Sequence, residues 1–186
     1  MNIKRTPLQD AFIIEPKPFV DTRGKFSRVF CQNELCDILD GKNIVQINQS
    51  LTCHKGAIRG MHFQYPPMAE IKMVRCITGE VYDVMVDLRK NSPTFLKWHG
   101  EILSSENMKM MYVPKGFAHG FQALEENSEI IYFVTEFYSP EHEEGVRYSD
   151  PLINIQWPLK ITDISEKDKK HSLLRQDFSG ITDLKV

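Results

Sequence analysis

The sequence predicts an all-β fold of the sandwich or barrel type. Nine short runs rich in β-branched and aromatic residues follow one another, and turn-forming residues separate them. This spacing is typical of antiparallel sheets that pack face to face. The predicted strands are AFIIEP, KFSRVF, NIVQINQSLT, EIKMVRCI, EVYDVMVDL, KWHGEIL, MKMMYVP, GFQAL and EIIYFVTEFY.

A tight connection and two short helices complete the predicted elements. Thr78-Gly79 lies between two of the predicted strands, and a two-residue connection of this kind predicts a β-hairpin. Residues 32–40 carry apolar side chains at helical spacing, which predicts a short helix. Residues 165–168, Ser-Glu-Lys-Asp, fit a capping box and predict a second helical turn.

Length, charge and cysteine usage narrow the class of protein. At 186 residues we expect one domain, 1–186, with a sizeable core. A net charge of −2 gives no electrostatic case for nucleic acid as a partner. The first residues lack the apolar run of a signal peptide and no segment approaches bilayer-spanning length, so we expect no membrane partner. The four cysteines show no CxxC pairing, and we therefore expect a reduced, cytoplasmic protein.

The segment RGMHFQ, residues 59–64, places reactive groups on one face of a predicted strand. Side chains alternate along a strand, so Met61 and Phe63 share one face while His62 and Gln64 share the other. One face is then apolar, and the other carries an imidazole beside an amide. His62 is a packing residue, a metal ligand or a general base, and this segment alone does not separate the three.

Two further strands carry polar side chains on faces that a core would fill with apolar ones. In EIIYFVTEFY the alternation puts Tyr132, Glu136 and Tyr138 on one face. A buried phenol needs a hydrogen-bond partner and a buried carboxylate needs more, so this face is predicted to line a pocket or meet a partner. In EIKMVRCI the same alternation turns Lys72 inward beside Val74, an arrangement that stability alone seldom favours.

Seven segments of the chain, taken together and in their order, identify a protein family that no one of them would identify alone. They are DTRGKF (21–26), QINQS (46–50), RGMHFQ (59–64), EIKMVRCITGEVYDVMVDLR (70–89), VPKGFAHGF (113–121), YFVTEFYSPE (132–141) and ISEKD (164–168). With these segments the chain resembles the dTDP-4-dehydrorhamnose 3,5-epimerase family of the cupin superfamily, and the resemblance runs from about Pro16 to Asp168.

The resemblance implies a fold, a substrate and an assembly. The family's fold is a cupin-type jelly-roll β-sandwich, here with a few short helices, and its members are homodimers. The implied substrate is a nucleotide-diphosphate 4-keto-6-deoxy sugar, whose carbons beside the ketone, C3 and C5, are inverted by removing and returning a proton. No metal or organic cofactor takes part. We therefore expect an isomerase of deoxysugar and polysaccharide biosynthesis.

Four residues fall on the family's catalytic positions. His62 matches the general base and Asp168 the carboxylate that orients it. Lys72 matches the cation beside the ketone oxygen, and Tyr132 matches the acid that returns the proton on the opposite face. The chemistry needs such groups, because removing a hydrogen next to a ketone requires a base and a positive group for the developing oxyanion. The family's substrate-contacting positions are occupied by Arg23, Gln46, Asn48, Arg59, His119, Tyr138, Glu143 and Lys167.

Each catalytic candidate has a structural alternative. Asp168 could be the reciprocal cap of Ser165. Lys72 could reach solvent from an edge strand, and Tyr132 could be an ordinary strand aromatic. Metal-binding cupins generally use a His-x-His pair, whereas this chain reads His-Phe-Gln at residues 62–64, so we expect no metal site.

Two departures from the family pattern bear on the nucleotide that the site accepts. Arg28 and Ile47 stand where family members commonly carry an acid, and by analogy both positions lie on the nucleotide side of the pocket. We therefore hypothesise that the chemistry is retained while the nucleotide half of the site is altered, so that CDP and GDP stand beside dTDP as possible carriers. Three alternative functions stay open: inversion at only one carbon, binding of a sugar nucleotide without catalysis, and ketoisomerisation. The complete set of acid and base groups disfavours a protein that only binds, because binding needs neither group.

Overall fold

The computed structural model describes residues 1–184, and antiparallel strands dominate it. The strands are β1 (Asn2–Arg5), β2 (Phe12–Glu15), β3 (Phe19–Asp21), β4 (Gly24–Phe26), β5 (Gln46–Thr52), β6 (Ile58–Gln64), β7 (Lys72–Thr78), β8 (Glu80–Asp87), β9 (Trp98–Ser104), β10 (Met110–Val113), β11 (Phe117–Ala123), β12 (Ser128–Val134) and β13 (Glu143–Gly145). The helices are α1 (Gln32–Leu39) and α2 (Glu166–Lys170).

The strands form two large sheets and one small one. A six-stranded sheet has the order β1-β2-β10-β7-β12-β5, and a five-stranded sheet has the order β13-β6-β11-β8-β9. Strands β3 and β4 pair only with each other in a separate two-stranded sheet. The all-β sandwich predicted from the sequence is therefore confirmed.

The main core lies between the two large sheets. Val74 and Ile130 of the six-stranded sheet pack against Val81, Met85 and Phe121 of the five-stranded sheet, and all five are buried. A second apolar cluster covers the outer face of the five-stranded sheet, where Met61 and Phe63 contact the segment that follows β13. The alternation predicted for β6 is thus confirmed, because His62 turns away from that cluster.

The two predicted helices are present. Helix α1 buries Leu35 and Leu39 against the outer face of the six-stranded sheet. Helix α2 begins after Ser165, whose hydroxyl oxygen accepts a hydrogen bond of 3.0 Å from the backbone N–H of Asp168. This is the N-cap expected for the Ser-Glu-Lys-Asp segment.

The predicted hairpin at Thr78-Gly79 is wrong, because the chain crosses there from one sheet to the other. Strand β7 pairs with β10 and β12, whereas β8 pairs with β11 and β9. Gly79 has a φ of +70°, and a Cβ at this position would lie 2.8 Å from the Ser128 hydroxyl. Glycine therefore permits a corner that is too tight and too strained for other residues.

Two of the observed strands end several residues before the predicted runs do. Strand β4 ends at Phe26, so the second half of KFSRVF is not extended into a sheet. Strand β12 ends at Val134, so Glu136 and Tyr138 lie beyond it. Both side chains nevertheless line the cavity described below. None of the helices between residues 1 and 184 has the length and apolar character to cross a membrane.

Candidate active site

Polar side chains from both large sheets line two adjoining cavities of about 340 and about 270 Å³. His62, Lys72 and Tyr132 line both cavities. His62 lies on β6 of the five-stranded sheet, whereas Lys72 and Tyr132 lie on β7 and β12 of the six-stranded sheet. An imidazole and a phenol therefore enter one space from opposite walls.

A hydrogen bond joins His62 to Asp168 across 106 residues of sequence. His62 Nε2 lies 2.8 Å from Asp168 Oδ1, and the backbone N–H of Gly60 donates to Oδ2 at 3.1 Å. Burial alone would raise the pKa of the Asp168 carboxyl, but the hydrogen bonds from His62 and Gly60 hold it below its ordinary value. The carboxylate thus stays ionised beside the imidazole and fixes its orientation.

The alternative role of Asp168 as a reciprocal cap is only half realised. Its backbone N–H bonds to the Ser165 hydroxyl, whereas its carboxylate is directed to β6. Helix α2 therefore serves to position this carboxylate, which is 5% exposed.

Lys72 is paired inside the cavity with a carboxylate that sequence reasoning missed. Lys72 Nζ lies 2.9 Å from Glu70 Oε1, and the two side chains are 15% and 6% exposed. The other Glu70 oxygen accepts a hydrogen bond of 2.6 Å from the Gln64 amide. The lysine does not reach solvent from an edge strand, because β7 lies between two neighbouring strands.

Tyr132 keeps its proton more firmly than an ordinary tyrosine. Burial raises the pKa of its phenol, and the negative charges of Glu70 and Glu143 raise it further, while Arg59 acts in the opposite direction. At neutral pH the phenol is therefore protonated and able to donate a proton.

Four of the predicted substrate contacts line the larger cavity, and each is held by another polar group. The Gln46 amide donates to Asn48 Oδ1 at 2.9 Å, and the Tyr138 hydroxyl donates to Glu143 Oε2 at 2.8 Å. Glu143 also accepts from Lys167. Burial would raise the pKa of the Glu143 carboxyl, but these two partners hold it below its ordinary value.

The other predicted contacts at the site line the smaller cavity. Arg59 donates to the Thr52 hydroxyl at 2.9 Å and to the Leu51 carbonyl at 3.0 Å, which aligns its guanidinium along β5. His119 Nε2 lies 2.8 Å from Asp83 Oδ1, and complete burial raises the pKa of the Asp83 carboxyl. Lys167 lines the same cavity.

Arg23 is not brought to these cavities within one chain. It lies at the turn between β3 and β4, and its side chain is 88% exposed and pairs with Asp21 at 2.6 Å. The hairpin that carries it pairs with neither large sheet, so no sheet contact within residues 1–184 turns Arg23 inward.

His171 is a second residue that sequence reasoning missed. Its Nε2 lies 3.6 Å from Asp168 Oδ1, and its ring stands edge-on to the His62 ring with centroids 5.5 Å apart. A Cβ at Gly145, which pairs with His62 in the sheet, would lie 2.4 Å from this ring. Burial and the nearby His62 lower the pKa of His171. The three-residue spacing from Asp168 across α2 was the available signal.

Comparison with known proteins places the fold and then the family. The fold is the cupin-type jelly roll found in known sugar-nucleotide epimerases. The chain belongs to the dTDP-4-dehydrorhamnose 3,5-epimerase family, whose model matches residues 5–176.

Relatives in sequence and structure cover nearly the whole chain. A dTDP-4-dehydrorhamnose 3,5-epimerase from Shigella flexneri is 46% identical over 169 residues, which cover 90% of this chain and 93% of that protein. The crystal structure of the Bacillus anthracis enzyme, with TDP and PPi bound, has a TM-score of 0.89 and 41% identity, covering 93% of this chain and 99% of that one. The Legionella pneumophila enzyme, in complex with dTDP-4-keto-L-rhamnose, has a TM-score of 0.87 and 41% identity, covering 92% of each chain.

Proposed function

We propose that this chain is a dTDP-4-dehydrorhamnose 3,5-epimerase that inverts C3 and C5 of a dTDP-linked 4-keto-6-deoxy sugar in deoxysugar biosynthesis. The observation that carries the proposal is the convergence of His62, Lys72 and Tyr132 on one cavity from two opposite sheets. Family membership and the relatives' names support the substrate.

In the proposed reaction His62 removes the hydrogen from a carbon beside the ketone. The electron pair of the broken C–H bond moves into an enolate, and Lys72 stabilises its oxygen. Tyr132 then donates its proton to the opposite face of the same carbon, and the phenolate and imidazolium exchange protons with solvent. Asp168 stabilises the imidazolium while it exists, because its carboxylate is held ionised 2.8 Å away.

The relatives favour dTDP over the CDP and GDP carriers that the departures at Arg28 and Ile47 left open. The Bacillus anthracis structure contains TDP, and the Legionella pneumophila structure contains a dTDP-linked sugar. The same relatives are named as epimerases, which favours catalysis over the non-catalytic binding function and over ketoisomerisation. We propose no metal or organic cofactor for the reaction.

We also propose that the active unit is a homodimer in which Arg23 reaches the cavity of the second copy. The β3–β4 hairpin exposes three apolar side chains, since Phe19, Val20 and Phe26 are 77%, 68% and 72% exposed. A second copy would cover them and would bring Arg23 to a diphosphate, which a planar guanidinium binds well. Phe26→Asp is expected to give a monomer with weak turnover, and a dimer with full turnover would contradict this assembly.

Two further proposals concern the domain organisation of the chain and its location in the cell. We propose that residues 1–186 form one epimerase domain, since the family match spans residues 5–176. We propose a cytoplasmic location, which agrees with the free thiols of all four cysteines in the described chain.

The experiment that tests the function is a conversion assay on three substrates. The same 4-keto-6-deoxy sugar linked to dTDP, CDP or GDP is incubated with the protein, and proton coupling constants in the NMR spectrum report the configuration at C3 and C5. We expect inversion of both carbons and a preference for dTDP. Inversion of one carbon alone, or preference for another nucleotide, would replace the present assignment with that alternative.

A further inference from the structure

Two imidazoles and a carboxylate form a compact cluster at the edge of the smaller cavity. One donor atom from each of His62, Asp168 and His171 lies within 4.8 Å of the other two. The side chains of Asp168 and His171 are 5% and 7% exposed, so the cluster is shielded from bulk water. His62 opens it to the cavity, because its side chain is 31% exposed.

His171 brings to this cluster a nitrogen for which the described chain offers no hydrogen bond. Its Nε2 is buried and without a partner among residues 1–184, and it points toward Asp168 Oδ1 at 3.6 Å. A buried polar atom without a partner is costly and calls for a ligand or a function. Gly145 leaves the space that this ring occupies, since a Cβ there would collide with it.

The donor set suits a divalent transition metal. Zinc is bound by histidine nitrogen at about 2.0–2.1 Å and by carboxylate oxygen at about 2.0–2.2 Å, which puts tetrahedral donors roughly 3.3 Å apart. Asp168 Oδ1 lies 2.8 Å from one histidine nitrogen and 3.6 Å from the other, so modest side-chain rotations would bring all three donors to one ion. The fourth position would face the cavity, which leaves room for a water molecule.

We propose that His62, Asp168 and His171 form a binding site for Zn²⁺ or a similar divalent metal, and that the metal inhibits the protein instead of serving its reaction. The Glu144 carboxylate, 3.8 Å from His171 Nδ1, favours the cation, and so does the Glu143 carboxylate, which interacts with His62; the Lys167 ammonium opposes it. The binding does not depend on the proposed function, but the inhibition does.

The metal would inhibit the reaction because it would bind to the Nε2 nitrogen of His62. His62 Nε2 faces Asp168, so Nδ1 is the nitrogen left for the substrate. A metal binds through the lone pair of Nε2, so the single N–H proton of the neutral ring moves, by exchange with solvent, from Nε2 to Nδ1. That nitrogen has no lone pair with which to remove a hydrogen from the sugar, and Asp168 is no longer free to stabilise an imidazolium.

The experiment compares Zn²⁺ binding and inhibition in the full-length protein and in two His171 variants. Calorimetric titration measures the affinity for Zn²⁺. Inhibition is expressed as the ratio of the turnover rates with and without Zn²⁺ for each variant, so that a change in the basal rate cancels. His171→Asn and His171→Phe are expected to weaken binding by at least about 10–100-fold and to relieve the inhibition by a similar factor. Chelation is expected to restore turnover in the parent.

Matched controls separate this site from other ligands. His99 on β9 also has a buried Nε2 that makes no hydrogen bond in the described chain, although Glu101 Oε2 lies 3.7 Å away. His99→Asn is expected to bind Zn²⁺ like the parent. The spectrum with Co²⁺ is expected to lack a thiolate-to-metal charge-transfer band. No measurable binding, equal binding in the His171 variants, or a thiolate band that assigns the metal to a cysteine would each overturn the proposal. If the protein proves not to be an epimerase, the binding comparison still decides the site.

Discussion

Lys72 and Glu70 form a largely buried ion pair, 2.9 Å long, on the wall of the cavity. Removing one member of such a pair leaves an uncompensated charge, which costs about 3–5 kcal/mol, whereas replacing both is often nearly neutral. We therefore expect Lys72→Met to lower the free energy of unfolding by roughly 3 kcal/mol. The double variant Lys72→Met/Glu70→Gln is expected to recover most of that loss, as measured by urea unfolding.

Turnover in the same variants separates stability from catalysis. If Lys72 stabilises the enolate oxygen, both variants lose about 10²–10³-fold in kcat, although only one is unstable. A double variant that regains parental kcat along with its stability would show that the lysine is structural.

The Asp168 carboxylate is expected to act through the imidazole that it orients. Asp168→Asn is predicted to lower kcat by about 10²–10⁴-fold with little change in KM, because the amide no longer fixes the tautomer or stabilises the imidazolium. Ser165→Ala is the control, since it removes the N-cap hydroxyl beside the smaller cavity but leaves the Asp168 carboxylate, and it is expected to cost about 1 kcal/mol of stability with kcat retained. Equal kcat losses in the two variants would assign Asp168 to the helix alone.

Tyr132 is expected to be needed for inversion but not for removal of the first proton. Tyr132→Phe is predicted to exchange the sugar hydrogens with solvent deuterium while the configuration is retained, and to invert about 10²–10⁴-fold more slowly. Tyr82, which packs against Trp157 outside the cavity, supplies the control Tyr82→Phe. NMR separates exchange from inversion, and unchanged inversion in Tyr132→Phe would remove the phenol from the mechanism.

Stability is expected to fall as the pH drops below about 6.5, because the buried His171 and the half-buried His99 resist protonation. Burial is the main cause that lowers the pKa of both His99 and His171 in the folded state. Below the unfolded value the unfolded chain binds more protons, so the free energy of unfolding decreases by up to about 1.4 kcal/mol per pH unit for each histidine. The variant His99→Phe/His171→Phe is predicted to have a flatter profile from about pH 6.5 to about pH 5 in urea unfolding. Parallel profiles would contradict this origin.

Strand positions could be predicted from the sequence because they depend on local alternation. The β6 segment separates Met61 and Phe63 from His62 through the pleat alone, and the structure packs the first two in the outer apolar cluster while His62 bonds to Asp168. The partner of each strand is not local information. Thr78-Gly79 marks a reversal of the chain, but only the packing of two sheets decides that β7 and β8 join different neighbours.

The candidate site likewise contains residues that the sequence predicted and residues whose role only the folded structure reveals. His62, Lys72, Tyr132 and Asp168 were predicted through the family resemblance and converge in the structure. Glu70 and His171 were missed because their importance comes from contacts with Lys72 and Asp168 rather than from any pattern of their own. Arg23 was predicted at the cavity, yet one chain leaves it exposed on a separate hairpin.

The role of His62 as the base is tested most directly by hydrogen exchange at C3 and C5 of the dTDP-linked 4-keto sugar in D₂O. NMR follows the exchange for the parent and for His62→Asn. The parent is predicted to place deuterium at both carbons, and the variant, folded to the same extent, is predicted to place it at neither. Deuterium entering the variant's product at the parental rate would contradict the assignment of this imidazole as the base.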